Sequence, residues 1–195
     1  MHRPLLRSAT RPTRAALAGA AALALTACAE PRQPVAPEAS AHGAHGSATA
    51  QRVSGDVARQ VAGLRALTAR FHDFDAAVDA GWGAQITGCL TDPQLGAMGY
   101  HYGNPALIDG QVDVLEPELL LYEPRKNGER RLVAVEYIVP FTAWTAAEPP
   151  QLYGQSFHRN EVFQVWALHV WHFRNNPRGL FADWNPHVTC SYAAP

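Results

Sequence analysis

The chain is 195 residues long, 47% hydrophobic and 17% charged, with a formal net charge of −1. Four of its 16 Lys and Arg residues precede Cys28 and all 17 acidic residues follow it, which leaves 12 basic against 17 acidic side chains from Cys28 onward, near −5. That balance excludes the basic footprint of a nucleic-acid-binding protein.

The first segment carries Arg3, Arg7, Arg11 and Arg14 with no acidic residue before Glu30, followed by the apolar run Ala15-Ala16-Leu17-Ala18-Gly19-Ala20-Ala21-Ala22-Leu23-Ala24-Leu25. A basic stretch followed by a short apolar one is the pattern of an export signal. A spanning helix needs about 20 apolar residues and this run ends after roughly 13, so it is expected to be removed and not to remain in the membrane. Leu25-Thr26-Ala27-Cys28 resembles the lipobox of bacterial lipoproteins, a Leu and two small residues before a cysteine. The resemblance implies that residues 1–27 are cleaved off and that Cys28 carries the acyl chains (palmitate or a similar fatty acid) that anchor the protein to a membrane. Two or three chains suffice for stable anchoring at roughly 0.8 kcal/mol per buried methylene. Ala29, not Asp, follows the cysteine, and similarity to Gram-negative sorting rules implies the outer membrane, facing the periplasm. An ordinary export signal with an incidental cysteine is the competing reading. Residues 28–51 are rich in Pro, Ala, Gly and Ser, a composition too polar to offset its ordering entropy, and read as a disordered tether. His42 and His45 within it read as spacer residues.

Residues 52–195, about 145 in number, fit one globular domain, with no internal repeat or second linker. Beyond Cys28 only Cys89 and Cys190 are left, an even pair in a compartment that favours oxidation, and they are expected to form a disulfide. Two free thiols or a thiolate metal site are the alternatives.

Val53, Val57, Val61, Leu64, Leu67, Phe71, Phe74 and Val78 recur every three or four residues, which predicts one long amphipathic helix over 56–80, capped by Ser54 or Asp56 and stopped at Gly81. Leu119-Leu120-Leu121-Tyr122 and residues 131–139 flank Asn127-Gly128, a strong hairpin signal. In the second strand Val133, Val135, Tyr137 and Val139 are expected on one face, with Ala134, Glu136 and Ile138 on the other. A buried Glu136 there must be paired, protonated or bound to something. Residues 160–176 read either as a helix, with Asn160 near its cap and His169 and His172 one turn apart, or as a strand, with His169 on the face of Ala167 and Trp171 and His172 opposite. The helix is preferred. The stretch from Phe181 to Cys190 reads as an aromatic loop packed back through Cys190.

Chemistry concentrates in three places: Gly96-Ala97-Met98-Gly99-Tyr100-His101-Tyr102-Gly103-Asn104-Pro105, Val135-Glu136-Tyr137, and Leu168-His169-Val170-Trp171-His172 with Asn176-Pro177-Arg178-Gly179. Together with Asn185-Pro186-His187-Val188-Thr189-Cys190, these segments resemble a family of bacterial secreted proteins and lipoproteins. The resemblance spans most of the folded part and implies a single domain without implying an activity.

His101, Glu136 and His169, with His172 or His158 as a fourth ligand, form a candidate site for a divalent transition metal such as zinc, iron or copper, because imidazole and carboxylate suit those ions. In that reading Glu136 is also a candidate general base. The same histidines could instead be hydrogen-bonded to Tyr100, Tyr102, Tyr137 or Glu136 in an aromatic core with Trp82, Trp144, Trp166, Trp171 and Trp184. Alternatively, Tyr100, Tyr102, Tyr137 and Trp171 could line a pocket for a small organic ligand. No zinc-hydrolase signature, nucleophile elbow or phosphate loop is present, and the sole lysine, Lys126, lies in a turn. The expected fold is α+β, a long N-terminal helix on a small antiparallel sheet with a second helix or long strand near the C-terminus. Three functions follow: an outer-membrane-anchored lipoprotein binding a metal or small ligand, a metal-dependent hydrolase or oxygenase, or an envelope scaffold without a small-molecule site.

Overall fold

The structure is a computed structural model that describes residues 54–193. The expected export signal, Cys28 and the expected tether with His42 and His45 lie outside those residues.

Helix α1 (Gly55–Thr68) starts where Ser54 accepts a hydrogen bond from the Val57 amide at 3.3 Å, satisfying an amide with no partner inside the helix. The predicted continuous helix over 56–80 does not form. A 3₁₀ turn (Ala69–His72) follows α1, and a separate short helix α2 (Phe74–Asp79) begins at Asp73. Asp73 adopts an extended backbone and its carboxylate accepts from the Asp75 and Ala76 amides, so an acidic residue inside the apolar repeat acts as a fresh cap. The break turns Leu67 and Val78 outward and buries Thr68 and Ala77 in their place. Gly81, at φ +108°, ends α2 as expected, and the Trp82 amide donates to the Ala77 carbonyl at 2.9 Å.

Eight strands follow: β1 (Ala84–Asp92), β2 (Gly96–Gly103), β3 (Leu119–Pro124), β4 (Arg130–Pro140), β5 (Gln151–Leu152), β6 (Gln155–Ser156), β7 (His158–Asn160) and β8 (Val165–Val170). Six form one antiparallel sheet in the order β1-β2-β3-β4-β8-β7, and β5 pairs with β6 apart from it. The Asn127-Gly128 turn joins β3 to β4, with Gly128 at φ +83°. The helical reading of 160–176 is corrected to a β-hairpin. The Asn160 carboxamide accepts from the Val162 and Phe163 amides and Gln164 takes a positive φ, so the apparent helix cap is a turn, and β8 pairs along its length with β4.

Strand alternation gives the sheet two unlike faces. One carries Leu120, Tyr122, Val135, Tyr137, Leu168 and Val170, and the helical segment covers it through Leu64, Phe71 and Ala77. The other carries Leu119, Leu121, Ala134, Ile138, Ala167 and Trp171. Val133 departs from its predicted face. A register shift between β3 and β4 places Leu121 opposite Ala134 and Tyr122 opposite Leu132, which sends Val133 to the second face beside Ala134. The C-terminal segment runs over this second face, held by a backbone bridge between Ala97 and the fully buried Asn185. It is covalently closed by a disulfide between Cys89 on β1 and Cys190, with Cα atoms 5.8 Å apart. The result is an α+β arrangement in which short helical pieces back a curled antiparallel sheet. Among the described residues no helix is long and apolar enough to cross a membrane.

Candidate metal centre

Three of the sheet's strands each send one candidate ligand, a histidine from β2, a glutamate from β4 and a histidine from β8, to the same region of the second face. Glu136 on β4 pairs directly with His169 on β8, while Leu119 on β3 pairs with Glu136 from the other side. His101 on β2 pairs with Leu121, so it reaches Glu136 diagonally over β3. Two features of β2 place His101 there. Gly99 sits at φ +94°, where a Cβ would stand 2.5 Å from the Tyr122 carbonyl oxygen, so only glycine lets β2 approach β3 this closely. Register irregularities between β1 and β2 on either side of Thr87 set that residue opposite His101.

All three side chains are buried, His101 and His169 each at 2% exposure and Glu136 at 6%. One atom from each lies within 4.8 Å of the others. His101 Nε2 is 3.4 Å from Glu136 Oε2, and His169 Nε2 is 3.7 Å from Glu136 Oε1. These separations are too long for good hydrogen bonds. They are close to the edge of a tetrahedron around a metal, because bonds of about 2.0–2.1 Å put neighbouring ligand atoms about 3.4 Å apart.

The hydrogen-bond network assigns the tautomer of His101. The Thr87 hydroxyl donates its one proton to the Gly88 carbonyl at 2.9 Å, so at its 2.8 Å contact with His101 Nδ1 the histidine is the donor. Nε2 then carries a lone pair, and it faces a carboxylate oxygen. Burial, reinforced by the neighbouring His169, pushes the His101 pKa down to about 3, so the ring is neutral near neutral pH. Burial also pushes the Glu136 carboxyl up, and Asp183 adds to that while His169 opposes it. Burial would depress His169, but the Glu136 and Asp183 carboxylates outweigh it and hold its pKa above the ordinary value. Neither ring nitrogen of His169 has an aligned hydrogen-bond partner, although both are sealed from solvent. Its Nδ1 lies 3.3 Å from Asp183 Oδ1, an ion-pair approach. Unpartnered buried nitrogens are rare and call for an explanation. Two imidazole nitrogens and a carboxylate converge on one point, a donor set for a cation that binds with release of the His169 proton.

The remaining expected site residues lie elsewhere. His172 is not a fourth ligand. As the strand reading of 160–176 required, it points to the helix-covered side, where its Nε2 meets the Thr68 hydroxyl at 2.9 Å and its Nδ1 meets the Val170 carbonyl at 3.0 Å. Burial pushes its pKa down to about 4. Tyr100, Tyr102 and Tyr137 do not line the cavity, because alternation along β2 and β4 turns them to the helix-covered face. The Tyr102 hydroxyl donates to Gln85 Oε1, and the Tyr137 hydroxyl reaches the Val114 carbonyl and the Tyr153 hydroxyl. Trp171 stacks beside His169 with ring centroids 6.2 Å apart. Of the tryptophans expected in one aromatic core, Trp82, Trp144 and Trp166 pack on the helix side, Trp171 belongs to the second face, and Trp184 joins neither cluster.

Two supporting residues went unnoticed in the sequence, Thr87 and Asp183. Asp183 stands between His169 and His158, whose Nδ1 is 3.4 Å from the same carboxylate oxygen. Nothing local marks it, because it comes from an irregular loop that only the tertiary fold brings to β8.

A cavity of about 230 Å³ opens over the three groups. Side chains from all six strands of the main sheet line it, which requires the sheet to curl around it. Its walls are mostly apolar, with His158 and Asn160 as the polar residues nearest the β7 side. No protein-family model, no curated protein and no solved structure matches this chain, so its chemistry rests on these atoms.

Proposed function

We propose that this protein is an exported, lipid-anchored protein whose folded part holds a divalent transition metal on His101, Glu136 and His169. The observation that carries the metal reading is the meeting of three buried groups at ligand spacing: His101 Nε2 stands 3.4 Å from Glu136 Oε2, and His169 Nε2, which has no hydrogen-bond partner, stands 3.7 Å from Glu136 Oε1. A cation between them satisfies all three groups at once. Two histidines and one carboxylate suit iron or zinc, and three protein ligands leave further positions free.

Both histidines have the support expected of ligands. His101 Nδ1 is held by Thr87 and His169 Nδ1 faces Asp183, which leaves each Nε2 directed inward. Glu136 lies between the two imidazoles, which favours a ligand role over that of a free general base. The cavity above the site favours a metal that acts on a molecule over one that is only stored, so a metal-dependent enzyme is the second reading. Bound there, the metal would supply a Lewis acid at the cavity floor. Export and anchoring at the outer membrane rest on the Leu25-Thr26-Ala27-Cys28 segment, and the Cys89–Cys190 disulfide is in keeping with an oxidising compartment.

The test is metal analysis of protein purified without chelator, with thermal unfolding before and after added zinc. The proposal expects close to one metal per chain in the wild type and a rise in stability of about 2.7 kcal/mol at a hundredfold excess over Kd. Both should be absent in His101→Ala and His169→Ala. A wild type that holds no stoichiometric metal and gains no stability from any of zinc, iron or copper would refute it.

A further inference from the structure

The walls of the cavity and the charge at its floor together define what it can admit. Ile86, Leu90, Met98, Ile138, Phe163 and Val165 supply an apolar lining. No lysine or arginine lines it, and Glu136 is the one carboxylate among the lining residues. A divalent ion held by Glu136 and two neutral imidazoles would carry a net charge of +1 within its ligands, and the next carboxylate, Asp183, stands behind His169 on the Nδ1 side, 39% exposed and outside the cavity lining. A buried charge that is only partly offset is costly, so a ligand bearing one negative charge is favoured over a neutral or cationic molecule, and a dianion overshoots. Size sets a second limit. A cavity of about 150 Å³ suffices for benzene, so 230 Å³ holds one substituted ring or a short chain of similar bulk. At the opening, Ile86 and Phe163 are 41% and 49% exposed, which gives an apolar path inward.

We propose that the cavity binds a small apolar monoanion, a single-ring or comparably compact molecule whose one acidic oxygen, as carboxylate or phenolate, completes the coordination of the metal. This rests on the metal reading above and adds the class of ligand to it. The apolar body packs against the β1, β2 and β7–β8 walls, and the charged oxygen points to the floor between His101 and His169.

Benzoate is the probe, titrated into the full chain loaded with cobalt(II), whose visible absorption reports changes in its ligands. Acetate supplies the charge without the ring, and benzyl alcohol supplies the ring without the charge. Benzoate is expected to change the cobalt spectrum and to bind about tenfold or more tightly than either control. Ile86→Trp, a substitution on an outer strand that fills the opening, should weaken benzoate about tenfold and leave the benzoate-free cobalt spectrum unchanged. Phe163→Ala, in an exposed turn, should weaken it severalfold by removing part of the wall. Acetate or benzyl alcohol binding as tightly as benzoate, or equal benzoate affinity without cobalt, overturns this inference and leaves the metal site standing. Failure of cobalt to take up a histidine-ligated spectrum overturns both.

Discussion

Thr87 and Asp183 touch the proposed ligands and not the ion, and they set how well it is held. Each occupies the Nδ1 side of one histidine, which fixes the ring so that Nε2 faces inward. Removing such support typically lowers metal affinity about 10- to 100-fold. Asp183→Asn is therefore expected to weaken zinc by that factor in competition with a chromogenic chelator, with little change in the stability of the metal-free protein. Glu118 is a different kind of buried acid. It accepts the Ile138 amide at 3.1 Å, and burial, with smaller contributions from Asp109 and Glu136, raises its pKa to about 8. An acid raised on folding favours the folded state while protonated, so this contribution is complete below about 4.5 and is lost as pH rises toward 8. Glu118→Gln keeps the acceptor and removes the titration. Its melting temperature should match the wild type near pH 4 and exceed it above pH 8, as read by calorimetry across that range. At this scale the sequence exposes the three central groups well, because a glutamate inside Val133-Ala134-Val135-Glu136-Tyr137-Ile138-Val139 demands a partner. The tyrosines beside His101 mislead, since adjacent residues in a strand point to opposite faces.

Elements carry the ligands, and the join between α1 and β8 depends on His172. His172 Nε2 meets the Thr68 hydroxyl of α1 at 2.9 Å, a hydroxyl that also donates to the Leu64 carbonyl at 2.7 Å, while Nδ1 meets the Val170 carbonyl at 3.0 Å. Thr68→Val removes that bond and should destabilise the fold by about 1–2 kcal/mol in urea titration, with zinc affinity unchanged. Equal losses of stability and metal affinity would return His172 to the site. Gly99→Ala tests the approach of β2 to β3. Its Cβ would clash with the Tyr122 carbonyl, so it should cost more than about 1 kcal/mol and displace His101, seen as weaker zinc binding. The β3–β4 hairpin is readable from Asn127-Gly128 because a turn that needs positive φ marks itself. The helix break at Asp73 and the strand at β8 are not. Apolar spacing of three to four continues across the break, and β8 is decided by pairing with β4, which no local pattern records.

At the level of the whole molecule, the disulfide ties the C-terminal segment to β1 across 101 residues of sequence. That segment also delivers Asp183 to His169, so closing the loop and completing the site are linked. A loop of this length corresponds to at most about 4.7 kcal/mol in the chain-entropy model. Cys89→Ser with Cys190→Ser is expected to lose a large part of that stability, measured by denaturant, and to bind zinc more weakly. The pairing itself is legible from cysteine count alone. Convergence of His101, Glu136 and His169, separated by 35 and 33 residues along the chain, follows only from the strand order and register. The central claim is that a metal sits among these three side chains. Crystals of the full chain grown with zinc and measured at the zinc absorption edge test it directly. The account predicts an anomalous peak about 2.0–2.2 Å from His101 Nε2, His169 Nε2 and a Glu136 carboxylate oxygen. An empty site with zinc bound elsewhere, or direct hydrogen bonds among the three side chains in its place, would contradict it.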